Sequence, residues 1–144
     1  MESTHQSHNY NEGLRRLSVA TRQMEQGQGS WQKMTPGQLQ EMKEVYLILI
    51  DAANGGYADA QLNLGIIHGE GRGVKQDHKE AARWHHNAAE QGHAEAQFNM
   101  GIMHANGRGV QQDNKEAARW YRKSAEQGHE KARAALRFIA TDNK

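Results

Sequence analysis

The chain has 144 residues, of which 36% are hydrophobic, enough for one compact domain or one short repeat array. Its 18 basic and 17 acidic residues leave a net charge of +1 and form no basic stripe, so we expect no nucleic-acid partner. The absence of cysteine excludes disulfides, zinc–thiolate sites and thiol nucleophiles.

The N-terminal segment is predicted to be a disordered tail over 1–12, followed by a helix and a linker over 13–35. The tail is polar and lacks a basic region followed by an apolar stretch, so it does not resemble a secretory signal, and we expect a cytoplasmic protein. Apolar residues recur at helical spacing from Leu14 to Met24, and the sequence GQGS at 27–30 ends the helix.

The next helix begins with a strong capping signal. Thr35 is the predicted N-cap, Pro36 occupies the first helical position, and Gln38 completes a capping box. The C-terminal half of this helix contains the run VYLILI at 45–50, which is too short to span a bilayer, so we expect no membrane insertion. An apolar helix of this kind is either covered on both sides by other helices or exposed to a partner. An exposed apolar surface here would predict a homodimer through the N-terminal helices.

Two consecutive segments, 57–92 and 93–128, align without a gap and are identical at 23 of their 36 positions. A fixed period of this size is typical of a solenoid array. Each segment predicts two helices, the first over about 58–68 and 94–104, because glycines follow these stretches in both copies.

The second helix of each repeat has its own start and stop signals. Asp77 and Asp113 are predicted N-caps, and Glu80 and Glu116, three residues later, are expected to return a bond as in a capping box. These helices are expected to end in the left-handed conformation at glycines, namely Gly92 and Gly128.

The 36-residue frame also extends beyond the two repeats. Residues 36–56 are interpreted as a degenerate half-repeat helix, and 129–144 as a C-terminal capping helix and tail. Arg137 occupies the position of Gly65 and Gly101, so the last copy cannot pack as closely there.

The repeat carries a recognisable set of motifs: Ala-Glu-Ala-Gln, Gly-Arg-Gly-Val, Lys-Glu-Ala-Ala-Arg-Trp-Tyr and Ala-Glu-Gln-Gly. This pattern resembles the Sel-one-like repeat, a relative of the tetratricopeptide repeats, strongly over 57–128 and weakly over 36–56 and 129–140. The resemblance implies an all-α fold, an α/α solenoid in which antiparallel helix pairs form a right-handed superhelix. It also implies a non-enzymatic adaptor that binds a peptide or helix of another protein.

The resemblance further implies that the second, fifth, sixth and ninth positions of each first helix line the concave binding face. In this chain those positions are Asp59, Leu62, Asn63, Ile66, Glu95, Phe98, Asn99, Ile102, Lys131, Ala134, Ala135 and Phe138. Asn63 and Asn99 would bond to a peptide backbone, beside a stripe of apolar residues. The alternatives are that the apolar residues only fill the core and that the two amides only join the repeats.

The nine histidines raise an alternative from another class, a histidine-dependent metal-binding or hydrolytic protein. His68 and His104 are repeat equivalents, expected about 9–10 Å apart, too far to share one ion without further ligands. His85 and His86 are adjacent on a helix and point in different directions. Ser124 has no partners at triad spacing. We therefore expect no metal, no cofactor and no catalytic residues, with the histidines replacing tyrosines or facing solvent.

The Gly-Arg-Gly-Val loops lack the preceding strand and the Lys-Ser/Thr of a phosphate loop, so their glycines are interpreted as turn residues. Arg72 and Arg108 in these loops are candidates for contact with an acidic partner.

Overall fold

The structure is a computed structural model that describes residues 2–27 and 30–142, with side chains over 9–27 and 30–139. The described residues form seven α-helices and no strand. They are α1 (Glu2–Glu25), α2 (Pro36–Asn54), α3 (Ala58–Glu70), α4 (His78–Glu90), α5 (Ala94–Asn106), α6 (Asn114–Glu126) and α7 (Glu130–Asp142). Each helix packs mainly against its neighbours in the chain, and this confirms the all-α solenoid.

The predicted helix starts are confirmed, with one difference. Thr35 and Gln38 form the complete capping box, because each side chain accepts from the other residue's backbone N–H at 3.1 and 2.9 Å. Asp77 accepts from the backbone N–H of Glu80 at 3.1 Å, but the return bond does not form. The Asp77 N–H donates instead to the His68 carbonyl at 2.8 Å, and the Glu80 carboxylate pairs with Arg83. The second repeat has the same arrangement.

Helix α1 begins at Glu2, whereas the sequence predicted a disordered tail over 1–12. Tyr10 is buried, and its ring meets that of Tyr57 edge-on with centroids 5.6 Å apart. Pairing with α2 gives the half-repeat over 36–56 a partner helix, so α1 and α2 form a complete pair ahead of the two repeats.

The apolar run at 45–50 is covered on most sides by this pairing. Val45 and Leu49 are fully buried, and Gly13 of α1 lies so close to Ile48 that an added Cβ would approach its Cγ2 to 2.7 Å. Leu47 remains 65% exposed. Helix α1 therefore covers much of the apolar surface whose exposure was the condition for a homodimer interface, and self-association stays a prediction.

A glycine in each first helix allows close contact with a ring of the second helix. An added Cβ at Gly65 would lie 2.6 Å from Nδ1 and Nε2 of His85, and at Gly101 it would overlap the Tyr121 ring. His85 and Tyr121 occupy equivalent positions and are both buried. Only a residue without a side chain permits this approach.

Buried glutamines join neighbouring repeats. The Gln61 amide donates to the Ala53 carbonyl at 3.1 Å and accepts from the Gln91 amide at 2.8 Å. One repeat later, Gln97 takes the same role with Ala89 and Gln127. Each glutamine thereby satisfies a carbonyl near the end of the preceding second helix, which otherwise has no partner inside its helix.

Replacing Gly101 with alanine is expected to destabilise the protein by about 1–3 kcal/mol, because the methyl group displaces the buried Tyr121 ring. Gly37 is the matched control. Its nearest neighbour to an added Cβ is Thr35 Oγ1 at 4.0 Å, so Gly37→Ala should stabilise α2 by about 0.5 kcal/mol. Urea unfolding followed by circular dichroism measures both. Equal effects of the two changes would contradict the close contact.

Burial lowers the pKa of His85 to about 4, with smaller effects from His93, which lowers it, and Glu95, which raises it. The unfolded chain, with a pKa near 6.5, gains a proton on acidification while the folded protein does not. The contribution of His85 to the free energy of unfolding is therefore fully present above pH 6.5 and is lost as the pH falls toward 4. This loss amounts to about 2 kcal/mol between pH 7.5 and 5.

His85→Tyr, which copies the Tyr121 position of the second repeat, should remove this loss. Unfolding free energies at several pH values, compared between native protein and variant, measure the difference directly. His86→Tyr changes the exposed neighbour and should leave the native pH dependence in place. Parallel pH curves for the native protein and His85→Tyr would show that His85 is not the group responsible.

Candidate partner-binding face

The predicted binding residues lie on α3, α5 and α7, and we call the surface of these helices that carries them the first-helix face. Three of these residues, Ile66, Asn99 and Ile102, line one cavity of about 300 Å³ between α3 and α5. Each of the three is half-buried, so part of its side chain remains exposed in the cavity wall. The cavity therefore joins residues of two successive repeats, among them Ile66 and Ile102, which lie 36 positions apart.

Two further cavities flank this one along the first helices. Asn63 lines a cavity of about 430 Å³ with Thr21 and Arg72, next to α1. At the other end, Ala135 and Phe138 line a cavity of about 350 Å³. Hence the recesses follow the repeat period, one between each successive pair of first helices.

The remaining predicted residues have other roles. Leu62 and Phe98 are half-buried and pack against core clusters, and Ile102 packs against the same cluster as Phe98, in agreement with the core alternative for these residues. Lys131 and Ala134 are exposed on α7. Phe138 is 72% exposed, so it offers the largest apolar surface on this face.

The two predicted amides differ in their bonding. The Asn63 amide donates to the carbonyl of Asp59, in its own helix, at 3.0 Å. The Asn99 side chain makes no hydrogen bond with any of the described residues. It therefore retains both its donor and its acceptor capacity for a ligand in the α3/α5 cavity.

The two predicted carboxylates are held by histidines that the sequence reasoning missed. His93 Nε2 lies 2.6 Å from Asp59, while its Nδ1 accepts from the Ala96 backbone N–H at 3.3 Å. Since Nδ1 accepts, a neutral ring carries its proton on Nε2 and donates it to the carboxylate. One imidazole thus caps its own helix and joins two repeats.

The second repeat repeats this bridge, with His129 Nε2 lying 2.6 Å from Glu95. The His129 ring also stacks on Phe98, with centroids 4.7 Å apart. The signal in the sequence is the histidine at the start of the second repeat and of its partial successor, at 93 and 129. The acids of the first-helix face are therefore already partnered.

The two loop arginines also differ. Arg72 donates to Thr21 Oγ1 at 3.1 Å, pairs with Glu70 and lies 4.9 Å from the centroid of the Trp31 ring. Arg108 lines the α3/α5 cavity, is exposed, and forms no ion pair within the described part of the chain. It is the loop arginine that remains accessible to a partner.

His85 forms part of the wall of the same cavity. Its Nδ1 is buried and has no hydrogen-bond partner among the described residues. Its low pKa, caused mainly by burial, keeps the ring neutral at physiological pH. The cavity therefore combines apolar walls and neutral polar groups with two charged side chains, Arg108 and Glu70, of which Glu70 is paired with Arg72.

The alternative of a metal-binding or hydrolytic protein gains no support from the described residues. They contain no group of three His, Cys, Asp or Glu placed to hold a metal ion. Ser124 is fully buried and donates to the Ala94 carbonyl at 2.7 Å, so its hydroxyl joins the two helices of the second repeat. None of the helices over the described ranges combines the length and apolar character needed to cross a membrane.

Comparison with solved structures places this arrangement among known repeat proteins. A Sel1 repeat protein from Oxalobacter formigenes is 40% identical over 64% of this chain and 38% of its own, with a TM-score of 0.62. The protein c5321, a protective antigen present in uropathogenic Escherichia coli strains with an SLR fold, is 32% identical over 99% of this chain, with a TM-score of 0.79.

The chain spans only 27% of the length of c5321. The cysteine rich protein B of Helicobacter pylori, at 23% identity and a TM-score of 0.64 over 66% of this chain, shares the fold. A search of curated proteins finds no match. The family model of the Sel1 repeat matches residues 58–93 and 94–129, one residue later than the boundaries taken from the sequence. Because these matches cover half of its length, the chain belongs to the Sel1 repeat family.

Proposed function

We propose that this protein is an adaptor that binds an extended segment or a helix of another protein on its first-helix face. Sel1 repeat proteins generally mediate protein–protein interactions and are typically non-enzymatic scaffolds. The observation that carries the proposal is the α3/α5 cavity, where Ile66, Asn99 and Ile102 meet. A partner there would bury apolar side chains and bond to an amide that has no other partner.

The chemistry of the face favours a partner with apolar anchors and an acidic flank. Asp59 and Glu95 are held by imidazoles and Glu70 is paired with Arg72, whereas Arg108 forms no ion pair with the described residues. An acidic group next to the apolar anchor would pair with Arg108 at the cavity edge. Charge at the rim affects specificity and association rate more than affinity.

The mechanism is display of a preformed surface. The recesses are lined by side chains fixed to helices that are tied to one another through buried amides. Binding to a rigid surface avoids the entropy cost of ordering it. No covalent step is involved.

The variant Asn99→Ala/Ile102→Ala is expected to weaken partner binding at least about tenfold, because two central contacts are removed together. Arg122→Ala, an exposed position on α6, is the matched control and should bind as the native protein does. Affinity capture from a lysate of the source organism identifies the partner, and titration of the purified partner measures the affinity.

A photo-reactive benzoylphenylalanine at position 102 or at position 122 locates the contact. Cross-linking of the same partner at 102, and not at 122, is the expected result. Recovery of the same proteins by both alanine variants, or cross-linking confined to 122, would reject the first-helix face as the binding surface. Thermal unfolding of each variant verifies that the helices remain intact.

A further inference from the structure

A second recess lies among the second helices, away from the first-helix face. It has a volume of about 490 Å³, and we call it the Ala82 pocket. Its walls include Ala82, His86, Met100, His104, Glu116 and Trp120. Since α4 and α6 supply most of the wall, the pocket is separate from the proposed adaptor surface.

The preceding repeat interface has the same architecture, but a tyrosine fills it. Tyr46 and His68 lie 36 positions before Ala82 and His104. The Tyr46 ring meets the His68 ring edge-on, with centroids 5.6 Å apart and an interplanar angle of 81°. The Tyr46 hydroxyl lies 3.1 Å from His68 Nε2. The chain therefore contains one filled example of this site.

Both full repeats have alanine at this position, Ala82 and Ala118, so the tyrosine is confined to the preceding half-repeat. Ala82 occupies its position, and the recess beside it is larger than the recess of about 270 Å³ beside Tyr46. His104 lines the Ala82 pocket, and its Nδ1 is buried with no hydrogen-bond partner within the described residues. The atom equivalent to the nitrogen that meets the Tyr46 hydroxyl is His104 Nε2, which forms no hydrogen bond with the described residues.

Some of the surroundings of this ring position recur around the Ala82 pocket, whereas Arg83 and His86 stand at the positions of Leu47 and Ile50. The Glu80–Arg83 ion pair near the Tyr46 hydroxyl recurs as Glu116 with Arg119. Trp120 closes the pocket and meets the His86 ring edge-on at 5.9 Å. An aromatic ring in the Ala82 pocket would thus meet the same charged pair that Tyr46 meets, together with a tryptophan.

We propose that the Ala82 pocket binds a tyrosine side chain presented by another protein, with its ring in the position of Tyr46 and its hydroxyl bonded to His104. The chain's own tyrosines are occupied: Tyr10 and Tyr121 are buried, and Tyr46 and Tyr57 are half-buried in ring contacts. A second copy of the folded chain therefore has no tyrosine to offer. This proposal does not depend on the adaptor surface.

N-acetyl-L-tyrosinamide, which represents a tyrosine within a chain, is the probe. Titration followed by NMR is expected to give saturable shifts of the His104 imidazole and the Trp120 indole, with a dissociation constant in the millimolar range. N-acetyl-L-phenylalaninamide lacks the hydroxyl and should bind about two- to tenfold more weakly. Free tyrosine that binds more tightly than the amide would reassign the site to the amino acid and overturn the proposal.

Three variants decide the outcome. Ala82→Tyr should fill the pocket and abolish probe binding, and Tyr46→Ala should create a second binding site beside His68. His104→Phe keeps a ring but has no nitrogen, so it should remove the preference for the tyrosine probe over the phenylalanine probe. This variant tests the proposal if Ala82→Tyr fails to fold. Absence of saturable shifts in the native protein, equal binding of both probes, or native binding in a folded Ala82→Tyr would each overturn the proposal.

Discussion

The close approach of the two helices within each repeat is the constraint on which the rest of the structure depends. Gly65 and Gly101 have no side chain, so the rings of His85 and Tyr121 lie directly against the first helices. Any side chain at these positions would separate the pair and open the core. Arg137 occupies the same register in α7, which has no second helix after it within the described residues. In this register, glycine therefore occurs where a ring packs against the first helix.

A second set of contacts fixes how one repeat sits on the next. Gln61 and Gln97 are buried, and each bonds to a carbonyl of the preceding helix and to a glutamine near the end of its own repeat. His93 and His129 add a bond across the first helices. Because such bonds need defined geometry, they hold the recesses between repeats at a fixed shape. A surface of this kind binds without being reorganised.

The period, the caps and the glycine stops are local signals, and they were sufficient to predict six of the helices and the α/α architecture. The start of α1 was not predictable, because residues 1–12 contain few apolar side chains and Tyr10 is buried against residues far along the chain, Tyr57 among them. The role of Glu80 was misjudged for a similar reason. Arg83 competes for its carboxylate, and the Asp77 N–H finds the His68 carbonyl.

The candidate site was predictable only as far as the repeat frame reaches. The frame placed Ile66, Asn99 and Ile102 on one face, and they share a cavity. It did not reveal which polar groups are already bonded, since the partners of Asp59 and Glu95 come from the next repeat.

The repeat copies differ in sequence at some positions, and these differences give recesses of the same architecture a different chemistry. Arg72 is bonded whereas Arg108 forms no ion pair with the described residues, His85 stands where the second repeat has Tyr121, and Tyr46 stands where both repeats have alanine. Each change leaves the backbone in place, because the glycines and caps that determine it are conserved between the two copies. A solenoid can therefore alter one recess at a time. The same scaffold then offers a charged apolar cavity on one face and an aromatic pocket on another, and the two can take different partners.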